Sequence, residues 1–209
     1  MRRLCFIVSI DEPAKFQHHL FRLSNSATDM KTSFDKEKAL QALIYIANKA
    51  PRPDYVHMVK ILYFAEKDHL QKYGRMIISD DYKRLKWGPV PTRSYDLLKN
   101  VASRGNSHFL DMNPDLALAA SRSLKVEING EIILFKPLCE ADQTVFSKSD
   151  LKCLDAAIEK YGPMPFPQLT DKSHDEVWKM SQNFDIALED IISTLPNKEA
   201  LLQYVHSAE

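Results

Sequence analysis

Apolar residues recur at helical spacing along most of the chain. From about Asp35 to Lys49, Ala39, Leu40, Leu43, Ile44 and Ala47 fall on one face, which predicts an amphipathic helix. Pro51 and Pro53 end it, and Asp54 can N-cap a second, longer helix. In that helix Val56, Val59, Leu62, Tyr63 and Leu70, flanked by Ile61 and Ala65, form the apolar face. His57, Lys60, Glu66, Lys67, Gln71 and Lys72 fill the polar remainder, and Gly74 supplies a left-handed stop. The short connection predicts an antiparallel helical hairpin. Met76 to Ser79 reads as extended. Trp87-Gly88-Pro89-Val90-Pro91 reads as a stiff corner, because proline fixes φ and pushes the preceding residue out of helical geometry. Thr92 can then cap a helix to about Ser103, with Tyr95, Leu98 and Val101 inward.

The period changes from helical to alternating once. Leu124 to Ile128 and Glu131 to Phe135 are β-like runs joined by Asn129-Gly130, a strong hairpin signal. A lone hairpin is marginal, so it packs on the helices or pairs with Met76–Ser79. Before it, residues 106–122 form a short helix or a loop from Asn113-Pro114. After it, Ser147 to Asp150 resembles a capping box, and Leu151, Leu154, Ile158 and Tyr161 stripe a helix that Gly162 stops. Pro163, Pro165 and Pro167 make a stiff linker, Gln168 to Met180 a turn and a helix, and the tail from Asp185 is helical with one break at Pro196. The fold class is mainly α (α+β), a compact helical domain with a small antiparallel β-hairpin or sheet. Only 5 glycines among 209 residues point the same way.

Residues 1–29 stand apart as an N-terminal extension, with residues 30–209 as the domain. Either Met30 is the biological start, or residues 4–10 add a strand and 13–23 form a helix. Leu4 to Ile10 follows two arginines but is too short for a signal peptide and is cut off by Asp11-Glu12-Pro13.

Composition narrows the function. With 44% apolar residues the chain can build a core, and 28 basic against 28 acidic residues leave no global attraction to nucleic acid or membrane. Charge is unevenly placed, however. Lys83, Arg84, Lys86, Arg93, Lys99 and Arg104 face only Asp96 in their segment, while Asp171, Asp175, Glu176, Asp185, Glu189 and Asp190 outweigh Lys172 and Lys179 further on. The two segments can face each other, within one subunit or between two. The basic one is a solvated face or a docking surface for an acidic partner. Cys5, Cys139 and Cys153 are few and widely spaced, which fits a reducing cytoplasm and no disulfide framework. No apolar run approaches the ~20 residues of a membrane span.

Catalytic and metal-binding patterns are weak. Ser173-His174-Asp175 names the residues of a hydrolase triad, but adjacency is not triad geometry, and no nucleophile elbow accompanies it. His174 reads instead as an internal hydrogen-bonding group that fixes the proline-rich linker against the Gly-Pro-Val corner. His18-His19 diverge on a helix, and His57 and His69 are too far apart along one helix to share a metal. HExxH, Walker and GxGxxG motifs are absent. No cofactor or metal is expected, and no enzyme. Lys60, beside an aromatic-rich face, either snorkels to solvent or pairs with an acid on a partner. Trp87 is either buried under its corner, the commoner state of tryptophan, or an exposed anchor that loses little entropy on binding.

The block from Lys60 to Lys99 resembles the signature of the Panacea-domain family, the SocA-like antitoxins of bacteria and phages. Lys60, Tyr63, Tyr73, Gly74, Tyr82, Gly88, Pro89, Val90 and Tyr95 occupy the family's places, and Ser173, His174 and Trp178 resemble its C-terminal motif. The likeness extends from about Phe34 to Met180. It implies a cytoplasmic antitoxin that neutralises a cognate toxin protein by direct binding, with a further role as adaptor to a cytosolic AAA+ protease, and it allows self-association. The residues expected to carry partner binding are Lys60, Tyr63, Tyr82, Trp87, Gly88, Pro89, Val90, Arg93, Tyr95, His174 and Trp178. The alternative is a DNA-binding transcriptional regulator using the basic Lys83–Arg104 segment.

Overall fold

Helix α2 (Tyr55–Tyr73) is the axis of the protein, with helices before and after it in sequence and strands of both small sheets packed against it. The structure is a computed structural model that describes residues 33–104, 107–181 and 184–206, with the backbone alone described at positions 205 and 206. The expectations on the N-terminal extension, on His18-His19 and on the start at Met1 or Met30 lie outside the described residues.

Local signals set the two leading helices. Asp35 caps α1 (Lys36–Lys49) by accepting from the Lys38 amide, and Asp54 caps α2 by accepting from the His57 amide. Gly74 closes α2 with φ of 74°, a left-handed conformation. The remaining helices are α3 (Thr92–Val101), α4 (His108–Asp111), α5 (Pro114–Ser123), α6 (Lys148–Tyr161), α7 (Phe166–Ser173), α8 (Glu176–Met180), α9 (Leu188–Ser193) and α10 (Lys198–His206). The Ser147–Asp150 capping box of α6 forms in both directions. Pro165 and Pro167 open α7 rather than extending a linker, since proline is tolerated in a first helical turn.

Two small antiparallel sheets complete a mainly α, α+β fold. Strands β3 (Leu124–Asn129) and β4 (Ile132–Pro137) form the expected hairpin, with Gly130-Glu131 as the turn, one residue later than the sequence suggested. This hairpin does not pair with Met76–Ser79. The Phe135 amide donates to the Pro53 carbonyl at 2.7 Å, and Phe135 is fully buried among the helices. The second sheet was not expected. The supposed corner is strand β2 (Gly88–Pro91), paired along its length with β1 (Tyr82–Leu85), which also pairs β5 (Asp185–Ile186) on its other edge. Prolines 89 and 91 are compatible with this because β2 is an edge strand.

Helix α2 divides two apolar clusters. Met58, Ile61, Leu62 and Ala65 join the larger one, with α1, α3, α5, α6 and the β3–β4 hairpin. Tyr63 and Leu70 join the smaller one, with Met76, Tyr82, Val177 and Ile186. A helix enclosed on several sides cannot keep its polar residues in solvent. His57, Lys60 and Glu66, expected on the polar side of the helix, are all buried, and so is His69. Each has a partner, as buried polar groups require. His57 Nδ1 meets Asp54 and its Nε2 meets the Met164 carbonyl; His69 meets the Arg75 carbonyl and Asp150.

Glu66 organises the segment that was expected to be extended. Its carboxylate accepts from the Ile77 and Ile78 amides, and the chain there bends irregularly, with Ser79 at φ of 57°. Asp80 does similar work for α3. It accepts from the Arg93 and Ser94 amides and from the Ser94 hydroxyl, so it, not Thr92, caps that helix. Burial pushes Glu66 up to about 7 and Asp80 up to about 6. A carboxyl raised by folding stabilises below its unfolded value, and that contribution fades as pH rises through the folded value. Stability is therefore expected to rise on acidification from about pH 7.5 to about pH 5.5 in thermal melts. Glu66→Gln, whose amide can accept at only one oxygen, is expected to cost about 1–3 kcal/mol at neutral pH and to flatten that slope. An unchanged slope in Glu66→Gln would remove Glu66 from the account.

Candidate functional site

The β1–β2 hairpin turns at Lys86-Trp87, and this turn is the centre of a continuous aromatic and cationic strip. Trp87 is 47% exposed. Its indole meets Phe166 of α7 edge-on at 5.4 Å, and the Lys86 ammonium lies 4.6 Å from the ring centroid. Beside the turn, Trp178 of α8 is fixed by its own polar atoms. Its Nε1 donates to the Leu85 carbonyl at 2.9 Å, and its carbonyl accepts from Arg84 Nε at 2.8 Å.

Two side chains lie against the Trp178 indole. The Arg84 guanidinium lies 4.2 Å from its centroid, and His174 stacks on it at 3.9 Å. His174 also hydrogen-bonds the Lys86 backbone, while its buried Nε2 has no partner; burial lowers its pKa. The strip continues through the Arg84 amide, which donates to the Phe184 carbonyl at 2.7 Å. Phe184 is 57% exposed and carries the Lys83 ammonium at 5.1 Å.

Under the strip lies a polar layer. Lys60, fully buried, donates to the Pro89 carbonyl at 2.6 Å. Burial pushes its amine down to about 7, partly offset by Asp175. Gly88 has φ of 98° and sits directly on Ser173 and Lys60, with no space for a side chain. Asp175 caps α8 through the Trp178 amide and accepts from the Tyr63 hydroxyl at 2.8 Å and from Lys67 at 2.7 Å.

The sequence-predicted binding residues therefore fall into three groups. Trp87, His174 and Trp178 come together on the strip. Lys60, Tyr63, Tyr82, Gly88, Pro89 and Val90 are buried beneath or within the hairpin. Lys60 does not snorkel, because the hairpin closes over it, and of the expected contact residues Trp87 to Val90 the Trp87 indole alone is exposed. Arg93 and Tyr95 engage other groups: Arg93 pairs with Asp81 at 2.7 Å and lies over Phe34, and Tyr95 meets Tyr55. Sequence reasoning missed Phe166 and Phe184 and counted Arg84 and Lys86 only as charges. Phe166 and Phe184 are isolated aromatics with no local pattern, so nothing in the sequence marked them.

Ser173, His174 and Asp175 do not form a relay. The Ser173 hydroxyl donates to the Thr170 carbonyl, Asp175 is occupied by Tyr63, Lys67 and an amide, and His174 Nε2 contacts neither. Among the described residues no cluster could hold a metal ion, and no helix is long and apolar enough to cross a membrane.

No curated protein and no solved structure matches the chain. The profile of the family described as antitoxin SocA-like, Panacea domain, matches residues 58–179, from the first turn of α2 to α8, and so spans the hairpin, the polar layer and Trp178. With more than half of its 209 residues in that match, the chain belongs to the SocA-like antitoxin family with a Panacea domain.

Proposed function

We propose that this protein is an antitoxin that neutralises a cognate toxin by direct protein contact through the strip from Phe166 to Phe184, with residues 30–209 as the binding unit. The observation that carries the reading is Trp87, a large aromatic left half exposed on a hairpin turn whose backbone is already held by two strands and a buried lysine. Such an anchor loses little freedom when a partner covers it, and tryptophan and arginine dominate interface energetics. Family membership supplies the class of partner.

The basic segment that motivated the DNA-binding alternative is largely drawn off internally. Lys83 pairs with Asp185, Arg93 with Asp81 and Lys99 with Asp96, and Arg84 covers Trp178. That arrangement favours a protein partner over a phosphate backbone, whose affinity depends on free cations. Co-expression with the product of the adjacent open reading frame tests the reading. The two chains are expected to co-purify, and growth arrest by the neighbour is expected to be relieved. Unrelieved toxicity, or a salt-steep gel shift with no protein complex, would overturn it.

A further inference from the structure

The Trp87 turn is carried by a hairpin whose second strand has poor means of holding itself. Pro89 and Pro91 donate no backbone hydrogen bond, and β2 has only β1 as a sheet neighbour. Besides its pairing with β1 and the burial of Val90 in the larger apolar cluster, one polar side chain from the central helix ties it to the body. Lys60 reaches up from α2 and donates to the Pro89 carbonyl, a bond between elements 29 residues apart. The approach is possible only because Gly88 has no side chain: a Cβ there would overlap the Ser173 hydroxyl and stand 2.7 Å from Lys60 Nζ. The amine thus occupies a slot formed by Gly88, Pro89 and Ser173, one residue from the exposed indole.

A lysine is an unusual choice for a fully enclosed slot. A neutral donor would cost less to bury, and buried charges are normally directly paired. Here the nearest acid, Asp175, is already engaged by Tyr63, Lys67 and the Trp178 amide. The charged group that acts on the amine is Asp175 at the start of α8; His174 at the end of α7 feels the amine in turn, and Asp171 and Arg84 act on His174.

We infer that Lys60 is the positioning residue of the contact strip, a buried latch whose bond to the Pro89 carbonyl seats the β1–β2 hairpin on α2 and so presents Trp87 at the surface. Because the latch titrates near neutrality, its charge acts on the adjacent indole. The inference takes Trp87 as the contact residue from the reading above, but it concerns the free chain and is tested there without a toxin.

The test is the fluorescence of Trp87. The chain has 2 tryptophans, so Trp178→Phe leaves Trp87 as the sole emitter. In Trp178→Phe the emission is expected to change in a single step centred near pH 7. Adding Lys60→Met, which keeps the length of the side chain but not its charge or donor, is expected to abolish the step and to make Trp87 more accessible to acrylamide. A step that survives in the double variant would assign the titration to His174 and overturn the assignment to Lys60. Persistence of the full step and unchanged quenching would overturn the latch. Should the double variant fail to fold, the Trp178→Phe titration decides alone, and a flat profile through neutrality overturns the inference. Failure of the co-expression experiment with a normal step would instead strike the antitoxin reading and leave the latch standing.

Discussion

Trp87→Ala is expected to leave the fold intact and to weaken toxin binding by at least about 2 kcal/mol, roughly 30-fold in Kd. Two facts separate the effects. The indole is half exposed and meets Phe166 and Lys86 alone among the aromatic and cationic contacts described, so its removal opens no cavity in either apolar cluster. Surface truncations of this kind change stability by about 1 kcal/mol or less. Binding is different, because a partner that covers the turn desolvates the whole ring on a backbone already fixed by pairing with β1. Titration calorimetry and a thermal melt on the same preparation check both halves. A large fall in melting temperature would show that Trp87 is structural; an unchanged Kd would remove it from the interface.

Gly88→Ala is expected to have the largest effect on stability, about 3 kcal/mol or more, for two additive reasons. At φ of 98° an L side chain is strained wherever it points. The added methyl would also overlap the Ser173 hydroxyl and crowd the Lys60 amine, neither of which can retreat. Ser173 is buried and bonded to Thr170, and Lys60 is bonded to Pro89. Combining Gly88→Ala with Ser173→Ala removes the overlap but not the backbone strain, so it is expected to recover part of the loss in denaturant melts. Full recovery would mean that the positive φ costs nothing, and no recovery would mean that the overlap is relieved by other movement.

What could be read in advance was whatever local chemistry decides. Asp35, Asp54 and Gly74 bound their helices because capping acts within one turn, and Ser147 with Asp150 did the same for α6. The Asn-Gly dipeptide placed the β3–β4 hairpin to within a residue. The misreadings share a cause: a partner distant in sequence changed what a residue does. Polar residues of α2 looked solvated because one helix seen alone has an outside, whereas this one is enclosed by α6, the β1–β2 sheet and α7. Pro89 and Pro91 looked like a corner because their β-pairing needs Tyr82 and Arg84 opposite them. Asp80 caps α3 from twelve or more residues away, a connection that no local rule supplies.

The same holds for the strip. Trp87 was nominated by its proline-flanked segment, His174 and Trp178 by the family resemblance, and the fold brought them together. The Leu85 and Lys86 backbone, Arg84 and Phe184 complete the surface only because β1 lies between β2 and β5. The acidic and basic segments do meet within one chain, at β1 and β5, where Lys83 and Asp185 approach to 3.6 Å.

Hydrogen–deuterium exchange of the chain alone and mixed with the product of the adjacent open reading frame tests the proposed interface most directly. Slowed exchange is expected at the Lys83–Gly88 turn and in peptides covering His174–Met180 and Phe184–Ile186. Protection confined to the β3–β4 hairpin or to α5, with the Trp87 turn exchanging as in the free chain, would contradict the account.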